Sequence, residues 1–142
     1  MTVKILLVDD SSTALLLGKM LFKKYTGYEV VTALNGREAV LKAVAEKPDL
    51  IFMDVHMPRM DGFAACREIR KMESLESVPI VMVTSSGESA NVELGYESGC
   101  SAYLTKPFNA NELQEMVHRF LGPQASPRVL APGFGQLPIA KY

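Results

Sequence analysis

The sequence predicts an α/β domain, a parallel sheet with helices on both faces. Five β-rich runs alternate with five segments of helical spacing between residues 3 and 121, which is the pattern of repeated βα units. The central run, Leu50-Ile51-Phe52-Met53, is apolar at every position, as a strand must be when both of its faces are covered. It ends on Asp54 and drops at once into a loop holding Pro58 and Gly62, so a carboxylate stands where the strand leaves the sheet. An acid there can also serve as a turn former, although Asp61-Gly62 suits that task better.

The elements follow in order. Val3 to Val8 is a short β-rich run ending on Asp9-Asp10, with Ser11-Ser12 as candidate caps for the next helix. Ala14, Gly18, Leu21, Phe22 and Tyr25 recur at helical spacing until Gly27, giving a first amphipathic helix. Tyr28 to Ala33 reads as the second strand. Asn35 with Glu38 three residues on resembles a capping box, and Ala39, Val40, Ala43 and Val44 form a stripe that Pro48 ends. After the third strand, Asp61 can cap a helix whose apolar positions are Phe63, Cys66, Ile69 and Met72. Val78 to Thr84 is the fourth strand, with Pro79 tolerable near its start. A fourth helix is expected over Glu88 to Ser98, although Val92, Leu94 and Tyr96 alternate with period two and Gly95 interrupts it. Ala102 to Thr105 is a short fifth strand running into Lys106-Pro107. Asn109 with Glu112 opens a last helix bearing Leu113, Met116, Val117, Phe120 and Leu121.

A chain of 142 residues, 48% apolar and 22% charged, suits one domain with a full core. Its formal charge of −1 leaves no broad basic field for a phosphate backbone, and no segment approaches the roughly 18 unbroken apolar residues of a membrane span. Neither direct nucleic-acid binding nor membrane association is expected. Met1 to Val8 lacks a long apolar stretch and a small-residue cleavage site, so a cytoplasmic location is expected. Cys66 and Cys100 lack metal-ligand spacing and read as small buried hydrophobes.

Composition changes after Leu121. Residues 122–142 hold four prolines, three glycines and no acid, and their only charges are Arg128 and Lys141. Removing those two cations from a total of −1 leaves −3 for residues 1–121. This is a tail or linker, not a second domain. Val129, Leu130, Phe134, Leu137, Ile139 and Tyr142 leave docking on the domain, docking on a partner and plain disorder all open.

Parallel strands joined by right-handed crossovers bring their carboxyl ends to one edge, where ligands bind. The first strand delivers Asp9 and Asp10 to that edge, the third Asp54, the fourth Thr84 and the fifth Lys106. Carboxylates gathered so closely raise one another's pKa unless a cation neutralises them. All-oxygen donors without His or Cys suit Mg²⁺. Lys106 offers a point charge to a phosphoryl oxygen, and the Thr84 hydroxyl can donate to another. Asp54 is left as a nucleophile that forms an acyl phosphate.

Taken together, these residues resemble the receiver domain of two-component response regulators, chemotaxis receivers among them, over about residues 3–121. The likeness rests on Asp9-Asp10, on Asp54 with Met57-Pro58 and Asp61-Gly62, on Thr84, and on Tyr103-Leu104-Thr105-Lys106-Pro107. It implies a flavodoxin-like sheet of five strands in the order 2-1-3-4-5. It also implies that Asp54 accepts phosphate from a histidine kinase or phosphotransfer protein, while Asp10 holds Mg²⁺ directly and Asp9 assists. The backbone carbonyl of His56 would add a further ligand. Thr84 and Tyr103 are implied as switch residues, and the fourth helix, fifth strand and fifth helix as the face that meets a downstream protein target.

Blander readings accompany each residue. Lys106 before Pro107 can be an exposed loop lysine, Thr84 a strand end, and Tyr103 a half-buried core ring. The His56 side chain can help or block a dephosphorylating water, or only face solvent. His118 reads as a surface or satisfied histidine. A pseudo-receiver would need one of the five chemical positions vacant, and all are filled. A phosphatase using an aspartyl intermediate would want an acid two residues past Asp54, where His56 stands. The turn Asp9-Asp10-Ser11-Ser12 lacks the glycines that cradle a nucleotide phosphate. With no output domain after the receiver-like stretch, a stand-alone, single-domain regulator is expected, with a receiver cut from a longer protein or a pseudo-receiver binding module as the alternatives.

Overall fold

Every described strand of this domain is paired in parallel, in one sheet of strand order 2-1-3-4-5. The computed structural model describes residues 2–23, 27–85 and 92–122. Along the chain these form β1 (Val3–Val8), α1 (Ser12–Phe22), β2 (Tyr28–Ala33), α2 (Gly36–Glu46), β3 (Leu50–Asp54) and α3 (Gly62–Arg70), then a 3-10 turn (Glu73–Leu75), β4 (Ile80–Ser85), α4 (Val92–Glu97), β5 (Ala102–Lys106) and α5 (Ala110–Leu121). The expected strand order and alternation are both present. Tyr25, Ser86 and residues 88–91 of the expected fourth helix lie outside the described residues, as do residues 123–142.

The apolar strands are explained by two cores, one on each face. Leu6, Val8, Ile51, Met53, Ile80 and Met82 pack with Ala39, Ala43, Phe63, Cys66 and Ile69 of α2 and α3. On the opposite face Ile5, Leu7, Leu50, Phe52, Val81 and Val83 pack with Leu15 and Phe22 of α1 and with Leu113 and Val117 of α5. Successive strand residues point to opposite faces, so a strand between two helical layers has no position left for a polar residue until it reaches the edge.

Local chemistry sets most of the helix starts. Ser11, Asn35, Asp61 and Asn109 each cap a helix by accepting from the backbone N–H three residues on. The capping box expected at Asn109 and Glu112 is complete. At Asn35 it is shifted by one residue, because Glu38 accepts from the Leu34 N–H. α2 stops before Pro48 with Lys47 in the left-handed region at φ 49°.

Three expectations are corrected. β4 begins at Ile80, since Val78 and Pro79 belong to the approach. α3 ends at Arg70, which leaves Met72 more than one-third exposed, and the turn after it buries Leu75 instead. α1 buries Leu15 with Gly18 and Phe22, while Ala14 and Leu21 are only partly covered.

At the edge opposite the strand carboxyl ends, Arg70 ties three segments together. Its Nε donates to the Gly99 carbonyl at 2.8 Å, and Nη1 to the carbonyls of Leu75 at 3.0 Å and Val78 at 2.6 Å. Nη2 reaches Ser101 Oγ, which itself accepts from the Ile80 N–H. Arg70→Met keeps the stem but leaves these acceptors without their charged donor, a loss expected to cost about 2 kcal/mol. Urea denaturation should show it as a lower midpoint at unchanged slope.

Candidate functional site

The strand register brings the expected side chains to one edge. Val8 lies opposite Met53 and Asp54 opposite Val83, so Asp9 emerges beside Asp54. Ser85 lies opposite Lys106, which places Thr84 and Lys106 on the neighbouring strands at the same end. The strand order turns between β1 and β3, and a crevice opens at such a switch point.

Oxygen atoms of Asp9, Asp10 and Asp54 all lie within 4.8 Å of one another. Asp9 and Asp54 are buried, and Asp10 is exposed. Lys106 Nζ bridges two of them, donating to Asp9 Oδ2 at 2.8 Å with Asp54 Oδ2 at 3.6 Å. The Ser11 N–H holds Asp9 Oδ1 at 2.9 Å, and the His56 N–H reaches Asp54 Oδ1 at 3.4 Å. Ser11 was foreseeable as a cap but not as a donor to this cluster, because its backbone carries no sequence signal.

The electrostatics follow from this geometry. Burial, then the charge of Asp9, pushes the Asp54 carboxyl up to about 6, against the opposing pull of Lys106 and the His56 amide. Burial works against the Lys106 ammonium as well, but its hydrogen bond to Asp9 and the charges of Asp54 and Asp9 outweigh that and hold its pKa above the usual lysine value. Lys106→Met should therefore drive the Asp54 carboxyl still further upward. A titration followed on carboxyl carbon resonances reads this directly, and an unchanged or lower value would contradict the pairing.

The remaining candidates sit around this group. Thr84 is buried, and its hydroxyl donates to the Ser85 carbonyl at 3.0 Å. The exposed His56 lines an open depression with Asp10, Met57, Pro58 and Asp61. Asp61 is thus a helix cap on the rim of the acidic group, which its capping pattern alone does not reveal. Tyr103 is half-buried, with its ring edge-on to Tyr96 at 5.5 Å between centroids. Its hydroxyl occupies the space that a side chain at Gly95 would need. Burial, then the ionisable Cys100 thiol and Tyr96 phenol beside it, pushes that hydroxyl to about 12. The glycine that weakens α4 therefore makes room for the Tyr103 ring. Cys66 and Cys100 are both buried and free.

Comparison with known proteins is decisive on family. The sequence model of the response regulator receiver domain matches residues 5–118. This chain belongs to the response regulator receiver family. It is a receiver domain of two-component signalling, with the parallel 2-1-3-4-5 sheet of the chemotaxis receivers. The receiver is 40% identical over 121 residues to PhoP, the alkaline phosphatase synthesis transcriptional regulatory protein of Bacillus subtilis, covering 85% of this chain and 49% of that protein. It is 36% identical over 110 residues to PilG of Pseudomonas aeruginosa, covering 78% of this chain and 81% of PilG. The crystal structure of the receiver domain of the sensor histidine kinase PA1611 from P. aeruginosa, with magnesium in its active site cleft, matches with a TM-score of 0.78 and 34% identity, covering 86% of this chain and 99% of that one. The receiver spans about half the length of PhoP and of other curated relatives it matches.

The donor set of the acidic pocket can be tested against Mg²⁺. Three carboxylates within reach of one point, with no imidazole or thiolate among them, form a hard-oxygen set. A cation held there would also offset the charge of Asp9, the second cause after burial of the raised Asp54 value, and so favour the ionised carboxylate. The residues present fit the ion. No described helix is long and apolar enough to cross a membrane.

Proposed function

We propose that the receiver accepts a phosphoryl group on Asp54 from a histidine kinase or phosphotransfer protein, in a Mg²⁺-dependent reaction, and so switches its binding to a downstream protein. One observation supports this most: Asp9, Asp10, Asp54 and Lys106 converge at a single sheet edge, with Lys106 bridging Asp9 and Asp54. An Asp54 carboxylate oxygen bonds to phosphorus as the phosphorus–nitrogen bond of a phosphohistidine breaks, and the imidazole leaves with the electron pair. Asp10, Asp9, Asp54 and the His56 backbone carbonyl would hold the ion, which supplies charge stabilisation to the phosphoryl oxygens. Lys106 is already beside the Asp54 oxygens and needs only to exchange a carboxylate partner for a phosphoryl oxygen. Thr84 gives up its bond to the Ser85 carbonyl to meet the same group, and Tyr103 moves against α4 in response.

In this reading residues 1–121 form the phosphoacceptor domain and residues 122–142 a tail or linker. The output face is α4, β5 and α5, with a protein rather than nucleic acid as its direct partner, in the cytoplasm. The match over 81% of PilG supports a single-domain arrangement. A second reading, a receiver within a longer regulator, is favoured by the half-length match to PhoP. The test is incubation with Mg²⁺ and a small phosphodonor such as phosphoramidate, followed by intact mass measurement. Wild type should gain one phosphoryl group and lose it again on standing, while Asp54→Asn gains none. An unmodified wild type that also fails to bind Mg²⁺ would leave a binding module that has kept only the fold.

A further inference from the structure

Between α1 and the start of α5 lies a cleft of about 250 Å³, walled by Ala14, Leu17, Leu21, Phe108 and Leu113 and bounded at its upper end by Asp9 and Lys106. The neighbouring α1 surface is unusually apolar. Leu16, Leu17 and Met20 are each more than half exposed although they belong to a helix that packs on the sheet. A soluble domain rarely leaves such a patch uncovered without an occupant.

We propose that the occupant is this chain's own segment 123–142, which seats its apolar side chains against α1 and the β5–α5 turn. Residues 129–139 carry Val129, Leu130, Phe134, Leu137 and Ile139, separated by Pro132, Gly133, Gly135 and Pro138. That spacing supports neither an amphipathic helix nor a core of its own, so an extended strip laid into a narrow cleft is how these side chains leave water.

The tether allows it. α5 forms one wall of the cleft and has 12 residues, so its length is about 18 Å, whereas 20 extended residues beyond Gly122 reach about 66 Å. A segment joined to the wall of its own site also meets it at an effective concentration of about millimolar. Charge agrees as well. The segment has Arg128 and Lys141 and no acid, and the upper end of the cleft adjoins three carboxylates with which, among the described residues, Lys106 is the one cation paired. The seat is thus contiguous with the acidic pocket and shares Asp9 and Lys106 with its lining.

The test uses the full chain with a nitroxide at Gln136→Cys, for which the buried Cys66 and Cys100 do not compete. Paramagnetic broadening should remove most of the amide intensity along α1 and at Lys106 and Phe108. It should be lost in Leu17→Lys, a substitution at an exposed position, and in Phe134→Ser combined with Leu137→Ser. Broadening centred on α2 or α4, broadening that survives both variants, or no site standing above the rest would each overturn the proposal. So would broadening that appears only when spin-labelled and isotope-labelled copies are mixed, which would assign the cleft to a second molecule.

Discussion

Asp54→Asn is expected to abolish phosphoryl incorporation and, in the metal-free protein at pH 7.5, to raise stability by about 2 kcal/mol. The Asp54 carboxyl stands near 6 in the folded receiver against an ordinary value of 3.8, through burial first and the Asp9 charge second. A carboxyl whose pKa is raised by folding binds its proton more tightly in the native state than in the unfolded one. Its contribution is therefore most favourable below 3.8, declines as pH rises through 6, and is a constant cost above that. The rise from 3.8 to about 6 corresponds to about 3 kcal/mol. Part of that is given back, because the neutral amide must still be hydrogen-bonded and Lys106 keeps only Asp9.

The pH profile identifies the cause. The advantage of Asp54→Asn should shrink toward zero as pH falls below 4, where the wild-type carboxyl is protonated in both states. Mg²⁺ should narrow the difference at pH 7.5, because an ion that binds the native carboxylates stabilises wild type by mass action and has one ligand fewer in the variant. Chemical denaturation at several pH values, with and without Mg²⁺, measures all of this. A variant less stable than wild type at pH 7.5 without metal would mean that Lys106 already compensates Asp54 fully.

What could be read from the sequence was what short-range chemistry decides. The run from Leu50 to Asp54 has one plausible structure, and Asp61, Asn35 and Asn109 each satisfy their helix within three residues. Because parallel topology places every strand's carboxyl end on one edge, the order of strands and acids was enough to gather Asp9, Asp10, Asp54 and Lys106. The phase of α1 was harder to read. With apolar residues almost all round, its 3.6-residue period marks no single face, and Leu15 is buried where Leu16 and Leu17 are not. Arg70 reads as a solvent-facing helix residue until the carbonyls of Leu75, Val78 and Gly99 are brought around it. Gln114 is polar yet buried in α5, where Tyr28 on β2 donates to its Oε1 at 3.0 Å across the domain. Such partners are far away in the chain, so no local pattern announces them.

Gly62→Val is expected to be the most destabilising single substitution proposed for the receiver, at about 3 kcal/mol or more. Gly62 opens α3 and donates its N–H to the Val55 carbonyl at 2.9 Å, which presses the start of the helix onto the end of β3. A Cβ at Gly62 would collide with the Asp54 carbonyl oxygen, would lie 2.7 Å from Met82 Cε, and would lie 3.0 Å from Val55 Cα. The methionine end can move, whereas the other two neighbours are backbone of the segment that carries the phosphoacceptor candidate. Relief requires either α3 to lift, losing contacts of Phe63 and Cys66 with the core, or the end of β3 to shift, carrying Asp54 away from Lys106. Alanine should cost less than valine but act in the same direction, since the Cβ itself makes the collision. Urea denaturation of the two variants checks the order. If both were within about 0.5 kcal/mol of wild type, the close approach of helix and strand would not be what positions Asp54.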